Sequence, residues 1–192
     1  MNSFKKIALG MVAAMTLGTL VATPASADTV TVAVTTSVAG SGTALAPYTV
    51  NVPYDNVVSD TVTATEALTF TATVTAGTPV TFTTSGNAKI VSAVNAAVTS
   101  ASGVTSLTVT PSGTTAVVYV FTTSTSASAV TASVLGASTT TYLKGIAGPA
   151  YNVSLSLPAS GNISGTSTAT IMVTDIFGNG KATAPTMSAI NA

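Results

Sequence analysis

From Thr29 onward, apolar and polar residues alternate with a period of two through most of the chain. In TVTVAVTTSV (residues 29–38), Val30, Val32 and Val34 fall on one side and threonines mostly on the other. Tyr48, Val50, Val52 and Tyr54 do the same in YTVNVPY, where Pro53 marks an edge or a strand end. Leu68, Phe70, Ala72 and Val74 stay in phase through ALTFTATVTA, and Val80 and Phe82 follow in TPVTFTT. A period of two places alternate side chains on one face of an extended chain, so these segments read as half-buried β-strands.

The stretch SLTVTPSGTTAVVYVF reads as two strands joined by a turn at Pro111–Gly113. Its returning strand is apolar on both faces, with Val117, Tyr119 and Phe121 on one and Val118 and Val120 on the other. SAVTASVLGA and TTTYLKG add two more strands. Between Asn87 and Ala101 the pattern is ambiguous: Ile90, Val91, Val94 and Val98 suit a short helix, while the surroundings favour strand and loop. Short strands at regular intervals, with no convincing long helix, predict an all-β chain and a β-sandwich.

Composition divides the chain. Met1-Asn-Ser-Phe-Lys-Lys6 is a positive start, Ile7 to Ala22 is an apolar run, and Ala25-Ser26-Ala27 is a small-residue cleavage pattern. Residues 1–27 are therefore expected to be a secretory signal peptide, too short and wrongly flanked for a membrane anchor. A first sandwich is expected over residues 28–145, and residues 146–150 within GIAGPA form a linker. A second series begins with Tyr151, Val153, Leu155 and Leu157. At an offset of about 99 residues, Phe70, Ala72 and Val74 fall over Ala169, Ile171 and Val173, an internal repeat of roughly one module. Residues 151–192 are accordingly expected to be the start of a second, truncated module, with Ile171 and Val173 facing a half-built core.

After the leader, Lys89, Lys144 and Lys181 stand against Asp28, Asp55, Asp60, Glu66 and Asp175, a net charge of 3 − 5 = −2. The chain contains no His, Arg, Cys or Trp. It lacks the basic surface that phosphate backbones require, which argues against nucleic acid as a partner. Without cysteine there is no disulfide framework, so an exported domain must rely on its hydrophobic core. Thr (39) and Ser (22) fill about a third of the chain, a composition that could suggest a mucin-like stalk. Their alternation with Val, Leu, Ile and Phe points instead to folded sheet, where Thr wets the outer face without charge. So few charges leave sheet edges unguarded, and the surface is expected to be covered by neighbouring modules or copies.

The sequence ATIMVTDIFGNGKA, with Val173, Thr174, Asp175, Phe177, Gly178 and Asn179, resembles bacterial immunoglobulin-like modules of invasin/intimin-type adhesins and surface-layer proteins. ALTFTATVTAGTPVTFTT looks like the same strand pair without the Asp and the Gly-Asn. The resemblance implies an immunoglobulin-like β-sandwich followed by an incomplete second β module. It also implies that Asp175, Gly178 and Asn179 form a structural turn, in which Asp and Asn bond local backbone.

Little chemistry remains. After residue 27 no Gly-x-Ser-x-Gly elbow, Ser-x-x-Lys or phosphate loop occurs, so an enzyme is not expected. Asp55, Asp60 and Glu66 are weak candidates for a Ca²⁺ contact, and otherwise read as turn residues and solvated charges. Cys-free Gram-positive surface modules, which this chain resembles in that respect, carry Lys–Asn crosslinks assisted by an acid; Lys89, Glu66 and Asn95 or Asn152 supply the residue types. No cofactor is expected. The chain reads as an exported structural protein of a bacterial cell surface, acting by packing and display. Its expected partners are copies of itself or neighbouring modules. The alternative is an adhesin or carbohydrate-binding module that takes glycans or host-surface ligands, for which Tyr48, Tyr54, Tyr119, Tyr142 and Tyr151 are candidate contacts.

Overall fold

A computed structural model describes residues 29–34, 39–53, 66–92, 103–157 and 168–182. The expected leader, Tyr54, Asp55, Asp60, Asn95 and the second half of the ambiguous 87–101 segment lie outside them. Among the described residues all regular elements are strands: β1 (Thr31–Val34), β2 (Tyr48–Asn51), β3 (Leu68–Thr73), β4 (Val80–Thr84), β5 (Ala88–Ser92), β6 (Ser106–Val109), β7 (Thr115–Thr122), β8 (Ser128–Val134), β9 (Ala137–Ile146), β10 (Asn152–Ser156) and β11 (Thr170–Thr174). The chain is all-β, and the described part of the ambiguous segment is the strand β5. No helix among these residues is long and apolar enough to cross a membrane.

The first nine strands make two layers. One sheet has the order β1-β3-β7-β5, the other β2-β9-β8-β4-β6. All pairings within them are antiparallel except that of β2 with β9. The alternation read from sequence decides which side chains lie between the layers. Phe70, Ala72, Val118, Val120 and Ile90 come from the first sheet, and Val80, Phe82, Val130, Ala132 and Leu143 from the second; all are fully buried. Each large aliphatic or aromatic side chain so placed contributes roughly 1.5–3 kcal/mol over its exposed state. This packing replaces the absent disulfides.

β7 has two apolar faces for a structural reason. Ala116, Val118 and Val120 enter the main core, while Phe121, fully buried, joins Ala67, Val91 and Tyr119 in a smaller cluster on the outer side of the sheet. The two strands flanking the Pro111–Gly113 turn do not pair with each other. β6 adds to the edge of β4, whereas β7 lies between β3 and β5, so the turn carries the chain from one layer to the other.

The outer face of the larger sheet is a field of hydroxyls. Register aligns Ser138, Ser133, Thr81 and Thr108 in one rank across β9, β8, β4 and β6, and Thr140, Thr131, Thr83 and Ser106 in the next. Cross-strand bonds link Thr81 Oγ1 with Thr108 Oγ1 (2.9 Å) and Thr131 Oγ1 with Thr140 Oγ1 (2.8 Å). Such Thr pairs stabilise a sheet without charge.

β10 and β11 form a separate two-stranded antiparallel sheet. β11 pairs with β10, the strand that opens its unit, as β3 pairs with β1. In the first unit the inner face of the β1–β3 pair, with Val30, Phe70 and Ala72, is buried in the core. One face of the β10–β11 pair carries Val153, Leu155, Ile171 and Val173, of which Val173 alone is buried.

Candidate functional site

The densest set of side-chain hydrogen bonds among the described residues lies where the two units meet. β11 ends at Thr174, and the chain turns through Asp175-Ile176-Phe177-Gly178, with Gly178 N donating to Asp175 O at 3.1 Å. Asp175 Oδ1 accepts from Phe177 N (3.0 Å) and Asn179 N (2.8 Å), closing the turn from within. Gly178 at φ 83° lies in the left-handed region that a residue with Cβ rarely adopts. These bonds lie within the turn itself.

Its second set of bonds reaches the rest of the molecule. Asp175 Oδ2 accepts from Gly148 N in the linker (3.0 Å) and from Asn179 Nδ2 (2.8 Å). The same Asn179 Nδ2 donates to Thr123 O (2.9 Å), and Asn179 Oδ1 accepts from Thr125 N (3.0 Å), both in the loop between β7 and β8. Lys181 Nζ donates to Gly148 O at 2.7 Å, while Lys181 N donates to Val173 O. The second unit therefore engages both the N–H and the C=O of Gly148.

Burial gives these bonds their weight. Asp175 is 1% exposed and Asn179 8%. A buried carboxylate is tolerated when its lone pairs are filled, and hydrogen bonds to a charged group contribute about 1.5–3 kcal/mol each. Asp175 accepts four, which uses its whole capacity. It is committed to structure and is not available as a base or a ligand. On the opposite side of the joint, Gly145 N donates to Ser124 O at 2.7 Å. A Cβ on Gly145 would meet that oxygen at 2.7 Å and the Val52 side chain at 2.6 Å, so only glycine permits this approach.

Beside the joint is a cleft of about 360 Å³ lined by Asn51, Val52, Glu66, Ile146, Gly148, Pro149 and Lys181. Glu66, 8% exposed, is the described member of the Ca²⁺ candidate set; Asp55 and Asp60 lie outside the described residues. The Lys181 ammonium in the same cleft is an unfavourable neighbour for a divalent cation, and among the described residues no group of three acidic or imidazole/thiol side chains could hold one. Of the crosslink residue types, Lys89 lies on β5 opposite Phe121 of β7, and Asn152 opens β10 in an exposed position.

The tyrosines are scattered. Tyr48 packs against the main core, Tyr119 joins the cluster around Phe121, Tyr142 is half-buried on β9, and Tyr151 is exposed in the second unit. These four described tyrosines do not share one sheet face. Sequence reasoning found Asp175, Gly178 and Asn179 but missed Lys181, Gly148 and the Thr123–Thr125 loop. For Lys181 a signal existed: it is the sole cation after the linker, directly following the turn. Comparison with known protein families, with curated proteins and with solved structures found no match.

Proposed function

We propose that the chain is an exported structural protein of a bacterial cell surface, built from immunoglobulin-like modules and acting by packing and display rather than catalysis. The observation that carries this reading is the joint: Asp175, Asn179 and Lys181 bind the linker and the loop between β7 and β8, holding a second unit against the first. A joint with this many directed bonds suits a protein whose task is to hold modules at a fixed angle. The strand order supports the same reading. With β1, β3, β4, β5, β7, β8 and β9 lettered A to G, the sheets run ABED and GFC, as in immunoglobulin-like sandwiches. β2 and β6 are then additions at the edges of the second sheet. The two hydroxyl ranks fit lateral contact between neighbours, since no charge lies within them; Lys144 stands farther along the same face of β9.

Antibody labelling of intact producing cells, followed by electron microscopy of their envelopes, tests the proposal. Surface label over a continuous layer is the expected result. Label that appears only after the cells are broken open would overturn it.

A further inference from the structure

Among the described residues, five of the nine exposed large hydrophobic side chains lie in or beside the β10–β11 pair: Tyr151, Val153, Leu155, Leu157 and Met172. Register sets Val153 opposite Val173 and Leu155 opposite Ile171, so these four share one face. Val153 is 65% exposed, Leu155 54%, and Leu157, next along the same alternation, 65%. Contiguous apolar faces of this kind on a folded protein mark contact sites. The first unit shows what such a face requires: its equivalent strand pair is buried under an opposing β-layer.

We infer that the occupant is the same face of a second copy, the two hairpins stacking across a two-fold axis into a small four-stranded sandwich. This rests on the reading that the chain packs against copies of itself, and it names the surface that does so. Charge is the first argument. An isologous contact sets each patch against its own kind, which a charged patch resists. None of residues 151–157 and 168–174 is charged, and the charged residues that follow them along the chain, Asp175 and Lys181, are engaged in the joint. Rigidity is the second. The joint fixes the hairpin before contact, so little ordering is needed on association. Area then sets the strength. Two five-residue strands present much less than the roughly 800 Å² per partner of a standard stable interface, so the dimer is weak, with dissociation in the micromolar to millimolar range.

Sedimentation velocity over a concentration series tests this on the chain recovered from its producing cells or their medium. Mass should rise from monomer toward dimer in the wild type, while Leu155→Lys stays monomeric at every concentration. Met172, 57% exposed on the opposite face, supplies the control, and Met172→Lys should associate as the wild type does. Because the chain has no cysteine, Leu155→Cys gives a second readout that does not depend on the charged variant folding. Mild oxidation should crosslink it into dimers far faster than Met172→Cys. A wild type that is monomeric throughout, a Leu155→Lys dimer, or equal crosslinking at both positions would each overturn the inference. None of these outcomes bears on whether the protein is displayed at the surface, which the envelope labelling decides separately.

Discussion

Asp175 Oδ2 and Asn179 Nδ2 meet at 2.8 Å, and this contact joins two sets of bonds that would otherwise be separate. Through Asp175 it fixes the turn and the amide of Gly148; through Asn179 it fixes Thr123 and Thr125. The two side chains are four residues apart in sequence, yet their partners lie as many as 56 residues away.

Removing either member should free the second unit without unfolding the first. Asp175→Ala leaves buried donors at Gly148, Phe177 and Asn179 without their acceptor, at about 1–3 kcal/mol for each group. The expected outcome is fast amide exchange at Gly148, Tyr151 and Lys181, with core amides such as Phe82 still protected. The double variant Asp175→Ala/Asn179→Ala should cost less than the sum of the single ones, by about 0.5–3 kcal/mol, because the two residues share a network. Additive losses would show that they act independently.

The glycine next to the joint should be irreplaceable where a glycine elsewhere is not. Gly145→Ala puts a Cβ against the Ser124 carbonyl and Val52, which forces the backbone to move and costs about 1–3 kcal/mol. Gly113, in the turn between β6 and β7, has open space around the same position and no positive φ. Gly113→Ala should be neutral or stabilise by about 0.4–1 kcal/mol. Thermal melts of the two variants decide the matter; similar melting temperatures would mean that the close approach at Gly145 carries no weight.

The strands were legible because each is half-buried, and burial of one face writes itself into the sequence as alternation. Phe70, Val80 and Phe82 could be placed inward from that signal alone. Which strand pairs with which could not, since almost every strand repeats the same Val–Thr phase and nothing in that phase distinguishes one neighbour from another. The separation of β6 from β7 was invisible for the same reason. The turn at Asp175, Gly178 and Asn179 could be read locally, but the far partners of Asp175 and Asn179 are backbone groups of Gly148, Thr123 and Thr125. A backbone amide or carbonyl leaves no mark on residue type, so the change from turn to joint required the structure.

Phe82 tests how far the core alone sustains the fold. It is fully buried between the layers, on the strand that joins β6 to β8. Phe82→Ala should destabilise the first unit by about 3–5 kcal/mol through lost transfer energy and the cavity left behind. In a domain without disulfides that is a large share of the usual 5–15 kcal/mol of total stability. Urea titration should show a fall in midpoint with an unchanged slope.

Thr84 offers a change in the opposite direction. It ends β4, in phase with the inward-facing Val80 and Phe82, and its Oγ1 is buried with no hydrogen-bond partner among the described residues. A hydroxyl in that state has lost its water and gained nothing in return, a penalty of about 1–3 kcal/mol. Val has nearly the same shape and the same branching at Cβ, so Thr84→Val keeps the packing and the strand preference while removing the unpaired oxygen. In most buried positions this substitution breaks a hydrogen bond and destabilises; here it should raise the melting temperature by several degrees. A lowered melting temperature would mean that the hydroxyl has a partner, and the bond it makes would then be part of what holds the end of β4 to the turn before β5.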